Sequence, residues 1–382
     1  MTSQDNLPPP EDKSGQVGNQ RNYGIDLLRM VSMYMVCMLH TLGCGGILAG
    51  TAADPVKHCI AWFFEIAAYC AVNCFALISG YVGVKSKFKY RNLFRLWLQA
   101  LFYTVGISLI FYFARPGSVG IKGLIKACFP ICTGAYWYLT AYALMFFTIP
   151  QLNFILEKQK KNAVRILLWT FFILFCVCSL PPIIRGITHP VNAGYSAIWL
   201  AYLYMIGGFI RLYGCGELFC FSTECTWGKK VTVLVQSAFS SQLRRLAIYV
   251  LCIMVTFFSR TGGPYFVKKI LGVDLFFSQL VNYNSPLILL AGIALLDLFS
   301  HMRLLRWIAI IRFASPLAFS VYLIQNQAQV WNLLFAGAFV RCSDLSSVVL
   351  PVVIIGIPMA IYVVCSMIDY IRLRLFCLLH IA

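Results

Sequence analysis

Five ionisable side chains lie inside long apolar stretches of this sequence: Asp26, Arg29, His40, Glu65 and Asp297. An ionisable group is costly to bury in an apolar segment, so each of them is a candidate functional residue. His40 is the only one of the five histidines that lies deep in such a stretch. An imidazole there can take up and release a proton near neutral pH, which makes His40 a candidate general base.

Arg29 and His40 are separated by eleven positions in the first apolar stretch. On a helix this spacing puts both side chains on one face, about 16 Å apart along the axis. Asp26, one turn before Arg29, can pair with the guanidinium and lower the cost of burying it. Such a face suits a reaction that binds an anionic donor near one membrane surface and removes a proton deeper in the membrane. A lone membrane histidine is equally often a packing residue held by a hydrogen bond.

The composition indicates that these residues belong to an integral membrane protein. Of the 382 residues, 60% are hydrophobic and only 12% are charged, whereas a soluble domain carries roughly 25% charged residues. The net charge of +18 is explained by Lys and Arg in cytoplasmic loops, and we predict no nucleic-acid partner. The sixteen cysteines are scattered and form no CxxC pair, so we predict no metal site.

Ten apolar stretches are long enough to cross a bilayer, which takes about 20 residues. They lie near 25–45, 60–82, 93–114, 135–156, 163–181, 195–213, 246–262, 281–300, 314–338 and 346–368. If the N-terminus lies inside, the cytoplasmic segments carry more than twice as many Lys and Arg as the opposite segments. The sequence therefore predicts an all-α transmembrane helical bundle of about ten spans, with both termini in the cytoplasm.

This organisation predicts three parts of the chain: a disordered cytoplasmic tail at 1–22, a membrane domain at 23–372 and a short cytoplasmic tail at 373–382. Two long segments between spans, 115–134 and 262–280, contain Gly, Pro and aromatic residues. They fit either re-entrant or interfacial helices that shape an outer vestibule, or plain connecting loops.

Several short blocks resemble, in the same order, the membrane acyltransferase 3 family. An arginine, ten residues and then a histidine in the first span, here Arg29 and His40, is similar to that family's signature. The other blocks are Phe75–Tyr81, Trp137–Leu139, Gly207–Gly208 and Val321–Ile324. The resemblance covers about residues 21–370. In one departure, Gln325 follows the last block where the family commonly has histidine, so a second histidine role cannot be transferred to this chain.

The resemblance implies an O-acyltransferase of a bacterial plasma membrane. Its reaction is most often the transfer of acetyl from cytoplasmic acetyl-CoA to a hydroxyl of a cell-surface polysaccharide or a lipid-linked glycan. His40 would then act as general base, because a hydroxyl is a poor nucleophile until a base takes its proton. Arg29 would anchor the donor.

Further residues are candidates for the same site. Arg29, Arg91 and Arg95 suit the phosphates of coenzyme A, although Arg91 and Arg95 also fit ordinary positive-inside topology. The candidates for acceptor binding or oxyanion stabilisation are Asp26, Glu65, Ser79, Trp137 and Tyr138. Glu65 fits an interfacial, solvated position equally well, and Asp297 is expected to be structural.

A secondary transporter or flippase for a glycan or a small organic anion is the alternative function, because intramembrane Asp, Arg and His residues also suit a carrier. Against it, the sequence shows no internal repeat and no paired Gly/Pro-broken spans in corresponding halves. A regulatory membrane domain that has lost its activity is a third interpretation, which the intact Arg29 and His40 disfavour.

Overall fold

The computed structural model describes residues 21–180, 189–219, 239, 241–262, 280–302, 304 and 306–379. Within these ranges every regular element is helical, which confirms the predicted all-α class. The α-helices are α1 (Tyr23–Leu42), α2 (Ile47–Gly50), α3 (Pro55–Ala68), α4 (Ala71–Gly83), α5 (Tyr90–Ala114), α6 (Ile121–Ala127), α7 (Trp137–Phe146), α8 (Ile149–Lys158), α9 (Lys161–Phe172), α10 (Ala197–Tyr213), α11 (Cys215–Leu218), α12 (Gln242–Thr261), α13 (Pro286–Ser300), α14 (Ile308–Ala314), α15 (Ala318–Gln325), α16 (Ala328–Val330) and α17 (Leu350–Leu378).

Short segments of other helical geometry extend or join these helices. Ile173–Val177 and Trp331–Phe335 are π-helices that continue α9 and α16. His189–Gly194, Ser315–Leu317 and Val340–Asp344 are 3₁₀-helices.

Six helical segments in the described part of the chain are long and apolar enough to cross a membrane: 23–42, 55–83, 90–114, 242–261, 308–325 and 350–378. A seventh results if α7 and α8, which are bent by 55° at their junction, form one span. The predicted count of ten spans is not confirmed, and the sides on which the termini lie stay predictions. Two predicted spans correspond to α10 and α13, which are apolar but have only 17 and 15 residues.

The helix boundaries differ from the prediction in several places. The second predicted span is two helices, α3 and α4, with a break at Tyr69 and Cys70. The segment 115–134 contains one short helix, α6, while most of 262–280 lies outside the described residues. The last helix, α17, continues to Leu378, beyond the predicted start of a tail at residue 373. Asn22 caps α1, and residues 1–20 lie outside the described part.

Helices α1, α4, α10 and α13 form the centre of the bundle, and most of their residues are buried. Helices α5, α12 and α17 are on the periphery. In the most apolar stretch of each of them, only 22% of the residues are buried. Large apolar side chains on these three helices therefore face outward, as lipid-facing side chains do, whereas the polar residues of α1 face the interior.

The crossing of α4 and α10 depends on two glycines. A Cβ atom built on Gly80 would lie 1.9 Å from the carbonyl oxygen of Tyr204, and one built on Gly207 would lie 2.0 Å from that of Leu77. The backbones can approach this closely only because both positions lack a side chain. Close packing of the two helices therefore explains why the Phe75–Tyr81 block has a glycine at position 80.

Replacing Gly80 by alanine is expected to destabilise the protein by about 1–3 kcal/mol, because the new methyl group forces α4 and α10 apart. Thermal unfolding in detergent measures the effect. Gly106→Ala is the matched control, since Gly106 lies within α5 and has no atom within 4 Å of its added Cβ. Equal unfolding temperatures for the two variants would contradict this role of Gly80.

Candidate active site

The first turn of α1 carries a buried carboxylate between two guanidinium groups. Asp26 is 6% exposed and accepts hydrogen bonds from Arg21 at 2.6 Å and from Arg29 at 2.9 Å. The Asn22 side chain donates to the carbonyl of Ser300 at the end of α13, which fixes the start of α1 against the core. The expected Asp26–Arg29 pair is therefore present, and Arg21 completes a triad. This triad keeps the Arg29 side chain in place.

A cavity of about 290 Å³ opens beside this triad. Its charged lining consists of Arg21, Asp26, Arg29, Lys85 and Arg211. Arg211, near the end of α10, donates to the Tyr81 hydroxyl at 3.3 Å and lies 5.1 Å from the centre of that ring. Because four cations outnumber one carboxylate in this lining, the cavity attracts anions, and Arg and Lys suit phosphate groups in particular. We call it the cationic cavity.

A column of aromatic rings on α7 leads from this end of the bundle towards its interior. Tyr138, Tyr142 and Phe146 are spaced four residues apart, and each ring centre is 6.3 Å from the next. Tyr142 interacts with Ser79 of α4 and with the charge of Arg29. Ser79 also donates to the carbonyl of Phe75 at 2.9 Å. The column therefore joins the surroundings of Arg29 to those of Tyr138.

His40 lines a second, smaller cavity of about 60 Å³ at the other end of the column. The walls are otherwise apolar or aromatic and include Val72, Phe75, Trp137, Tyr138, Tyr283 and Tyr322. The ring of Trp331 meets the imidazole edge-on, with the ring centres 5.0 Å apart. The structure thus brings together His40, Trp137 and Tyr138, which the sequence suggested separately. We call this space the histidine cavity.

The orientation of His40 is set by Gln325. The Nδ1 atom of His40 lies 3.1 Å from the Oε1 atom of Gln325. An amide oxygen only accepts hydrogen bonds, so Nδ1 carries the proton in this arrangement. The lone pair is then on Nε2, and Nε2 is the ring atom available to take a proton. Gln325 is 1% exposed at the end of α15, and with its amide in this orientation the imidazole keeps its lone pair on Nε2.

Four aromatic side chains form a cluster next to the histidine cavity: Tyr69, Trp137, Tyr195 and Tyr283. Ring centres are 4.6 Å apart for Trp137 and Tyr195, and 4.9 Å apart for Tyr283 with both Tyr69 and Tyr195. Tyr195 is 41% exposed, so the cluster is open on one side. Trp137 and Tyr283 belong both to this aromatic cluster and to the wall of the histidine cavity.

Glu65 lies beside the aromatic cluster. It interacts electrostatically with Tyr69 and Tyr283, and its Oε2 atom is buried without a hydrogen-bond partner. Tyr283 lines the histidine cavity, so Glu65 adjoins that cavity through this ring. Glu65 does not line the cationic cavity.

The hydrogen bonds of a buried amide hold Tyr283 in the cluster. Asn73 of α4 donates to the carbonyl oxygen of Tyr283 at 2.7 Å and accepts from the indole N–H of Trp199 at 3.1 Å. Both Asn73 and Trp199 are fully buried. This chain of bonds ties α4, α10 and the segment before α13 together at the level of the histidine cavity.

The other residues suggested by the sequence lie elsewhere. Arg91 is exposed at the start of α5 and lines neither cavity. Arg95 lines a separate cavity between α5 and α17. Asp297 is 2% exposed and accepts from Arg245 of α12 at 2.6 Å, an arrangement that fits its expected structural role.

Several residues around the two cavities were not singled out by the sequence. Lys85 and Arg211 lie at or next to the ends of predicted spans, where Lys and Arg are expected from topology alone, yet both line the cationic cavity. Tyr195 and Tyr283 belong to segments distant from α1, and no local pattern marked them. For Lys85 and Arg211 the sequence does contain a signal. Gly80 and Gly207 indicate that α4 and α10 cross closely, and this crossing brings Arg211, at the end of α10, near Lys85, just after α4.

A family model described as an acyltransferase domain matches residues 22–369, which is most of the chain. No curated protein and no solved structure matches this chain. This chain belongs to the acyltransferase 3 family, and it is a multi-pass membrane acyltransferase.

Proposed function

We propose that the protein is an O-acetyltransferase of a bacterial plasma membrane that transfers acetyl from acetyl-CoA to a hydroxyl of a cell-surface polysaccharide or lipid-linked glycan. Family membership supports acyl transfer. The observation that carries the proposal is the pairing of His40 with Gln325 in a small aromatic cavity. An imidazole with a fixed tautomer in a water-poor cavity suits the activation of a hydroxyl.

In the proposed reaction Nε2 of His40 takes the proton of the acceptor hydroxyl. The oxygen attacks the carbonyl carbon of the thioester, and a carbon–oxygen bond forms. The carbon–sulfur bond then breaks, the electron pair leaves with the coenzyme A sulfur, and the proton passes from His40 to that sulfur. Negative charge on the carbonyl oxygen needs a fixed donor. Tyr138 and Trp137, which line the histidine cavity, are better placed for this than Ser79.

The donor is proposed to enter through the cationic cavity, which would face the cytoplasm. Arg29, Arg211 and Lys85 would bind the phosphates of coenzyme A. The long pantetheine arm would follow the aromatic column of α7 and carry the thioester to His40. Arg91 and Arg95 are left out of this proposed donor set, because neither lines the cationic cavity.

The acceptor is proposed to enter from the opposite face through the aromatic cluster. Aromatic faces suit sugar rings, whose C–H bonds pack against them, and a carboxylate accepts hydrogen bonds from sugar hydroxyls. Glu65 has a buried oxygen without a partner in the protein, so an acceptor hydroxyl would satisfy it. Donor and acceptor would then meet at His40 from opposite sides.

Labelled acetyl-CoA tests the proposed reaction in membrane vesicles that expose the cytoplasmic face. We expect alkali-labile label in the glycan fraction, because an ester of a hydroxyl is cleaved by base. Movement of glycan across the vesicle membrane with no consumption of acetyl-CoA would instead favour the transporter.

The Glu65→Gln variant tests the acceptor side. We expect about a tenfold rise in the KM for the glycan, because the amide puts a nitrogen, which cannot accept a hydrogen bond, in place of one carboxyl oxygen. Stabilisation of the variant by coenzyme A should remain unchanged, since Glu65 does not line the cationic cavity. Tyr34→Phe is a suitable control, because the Tyr34 hydroxyl bonds to a backbone carbonyl in α17, away from both cavities. An unchanged KM for the acceptor would contradict the assignment of Glu65.

A further inference from the structure

A third polar cavity, of about 420 Å³, lies between α5 and α17, outside the proposed active site. The polar part of its lining is Asn92, Arg95, Gln99 and Arg372, and the apolar part is Leu96, Leu98, Leu373 and Phe376. None of these residues lines the cationic cavity or the histidine cavity. The cavity is thus a separate feature on two peripheral helices.

The two arginines of this cavity lie where the apolar part of each helix ends. Residues 96–114 of α5 and 350–368 of α17 contain no charged side chain. At 1.5 Å per residue each stretch is about 28 Å long, close to the thickness of the hydrocarbon core. Arg95 directly precedes the first stretch and Arg372 closely follows the second. Both guanidinium groups therefore lie at the depth of lipid headgroups.

Aromatic residues on α5 support this depth. Tyr90 is 68% exposed and Phe94 is 56% exposed, and the Phe94 ring centre lies 5.6 Å from that of Trp97. Tyr and Trp collect at the membrane–water interface, where an amphipathic ring suits both environments.

The hydrogen-bond donors in the cavity are only partly used by the protein. Arg372 donates from Nε and Nη2 to Asp369, and Tyr103 also donates to that carboxylate. Arg95 is exposed and has no acidic partner among the described residues. The side-chain nitrogen of Gln99 is buried with no hydrogen-bond partner. A buried amide donor without a partner is costly, so a ligand oxygen there would be stabilising.

We propose that this cavity binds the phosphodiester headgroup of an anionic phospholipid. The phosphate oxygens would accept hydrogen bonds from Arg95, Gln99 and Arg372, and the acyl chains would lie along the exposed apolar faces of α5 and α17. Ile371 of α17 is 70% exposed and Phe94 of α5 is 56% exposed beside the cavity, so both helices offer such faces. Basic cavities between membrane helices at headgroup depth are suited to anionic lipids.

Lipid retention by the purified full-length protein tests the proposal. Native mass spectrometry would compare phosphatidylglycerol with phosphatidylcholine in the wild type and in the Arg95→Ala, Gln99→Leu and Arg91→Ala variants. Arg91→Ala is the matched control, because Arg91 is exposed one turn earlier on the same helix but does not line the cavity. Sodium phosphate and coenzyme A would be added in separate arms as competing sources of phosphate.

We expect the wild type to retain phosphatidylglycerol in preference to phosphatidylcholine. Affinity for phosphatidylglycerol should fall about tenfold in Arg95→Ala and Gln99→Leu and less than twofold in Arg91→Ala. Neither free phosphate nor coenzyme A should displace the lipid. Equal losses of affinity in all three variants would show that the lipid does not bind specifically in this cavity, and would overturn the proposal. Displacement by coenzyme A would also overturn it and would assign the cavity to the donor.

Discussion

Replacing His40 by glutamine is expected to lower the rate of acyl transfer about 10²–10⁴-fold, the usual contribution of a general base. Glutamine fills a similar space and can still bond to Gln325, but it cannot take a proton. Folding should therefore be preserved, which the unfolding temperature checks. The rate is measured with saturating acetyl-CoA and glycan, so that changes in binding do not enter. A variant that folds normally and keeps the wild-type rate would exclude His40 as the base.

Variants of Gln325 extend the same prediction to the orientation of the imidazole. Gln325→Leu removes the hydrogen-bond acceptor that keeps the proton on Nδ1, so we expect a lower rate with unchanged donor affinity. Gln325→His places a nitrogen that can accept at this position, so this variant should recover much of the rate. Equal losses in both variants would point to packing alone.

Replacing Arg29 by alanine is expected to weaken binding of coenzyme A about a hundredfold, because a charge-assisted hydrogen bond contributes about 1.5–3 kcal/mol. Arg21 still pairs with Asp26 at 2.6 Å, so the variant leaves no unpaired buried carboxylate. Stabilisation against heat by added coenzyme A measures the effect, and it should largely disappear.

Arg91→Ala is the control for this prediction, because Arg91 is an exposed arginine that does not line the cationic cavity. Its stabilisation by coenzyme A should equal that of the wild type. Arg29→Lys should retain part of the effect, since lysine keeps the charge but loses the planar fork of donors. Loss of stabilisation in Arg91→Ala and not in Arg29→Ala would place the donor elsewhere.

The class of fold was predictable from composition, because a chain with 12% charged residues cannot cover a large water-facing surface. The number of spans was not. Apolar runs at 195–213 and 281–300 predict spans, but the helices there have 17 and 15 residues. Their apolar character reflects burial in the core of the bundle as well as lipid, and hydropathy does not distinguish the two.

The part of the candidate site that lies on helix α1 was predictable from the sequence. The Asp26–Arg29 pair and the position of His40 follow from spacing within α1, because helical periodicity is local. The partners from other helices were not predictable, since the contact of His40 with Gln325 joins residues 285 positions apart. For the same reason Arg95 was grouped with Arg29, although α5 carries it to a different cavity.

The central claim is that acyl transfer depends on His40, and mass spectrometry of surface glycans tests it most directly. The cells would express the wild type or the His40→Gln variant at equal levels in the membrane. Cells without the protein provide the baseline. We expect acetyl esters on the glycan with the wild type and a return to the baseline with His40→Gln. Equal acetylation with both proteins, or none with the wild type, would contradict the proposed function.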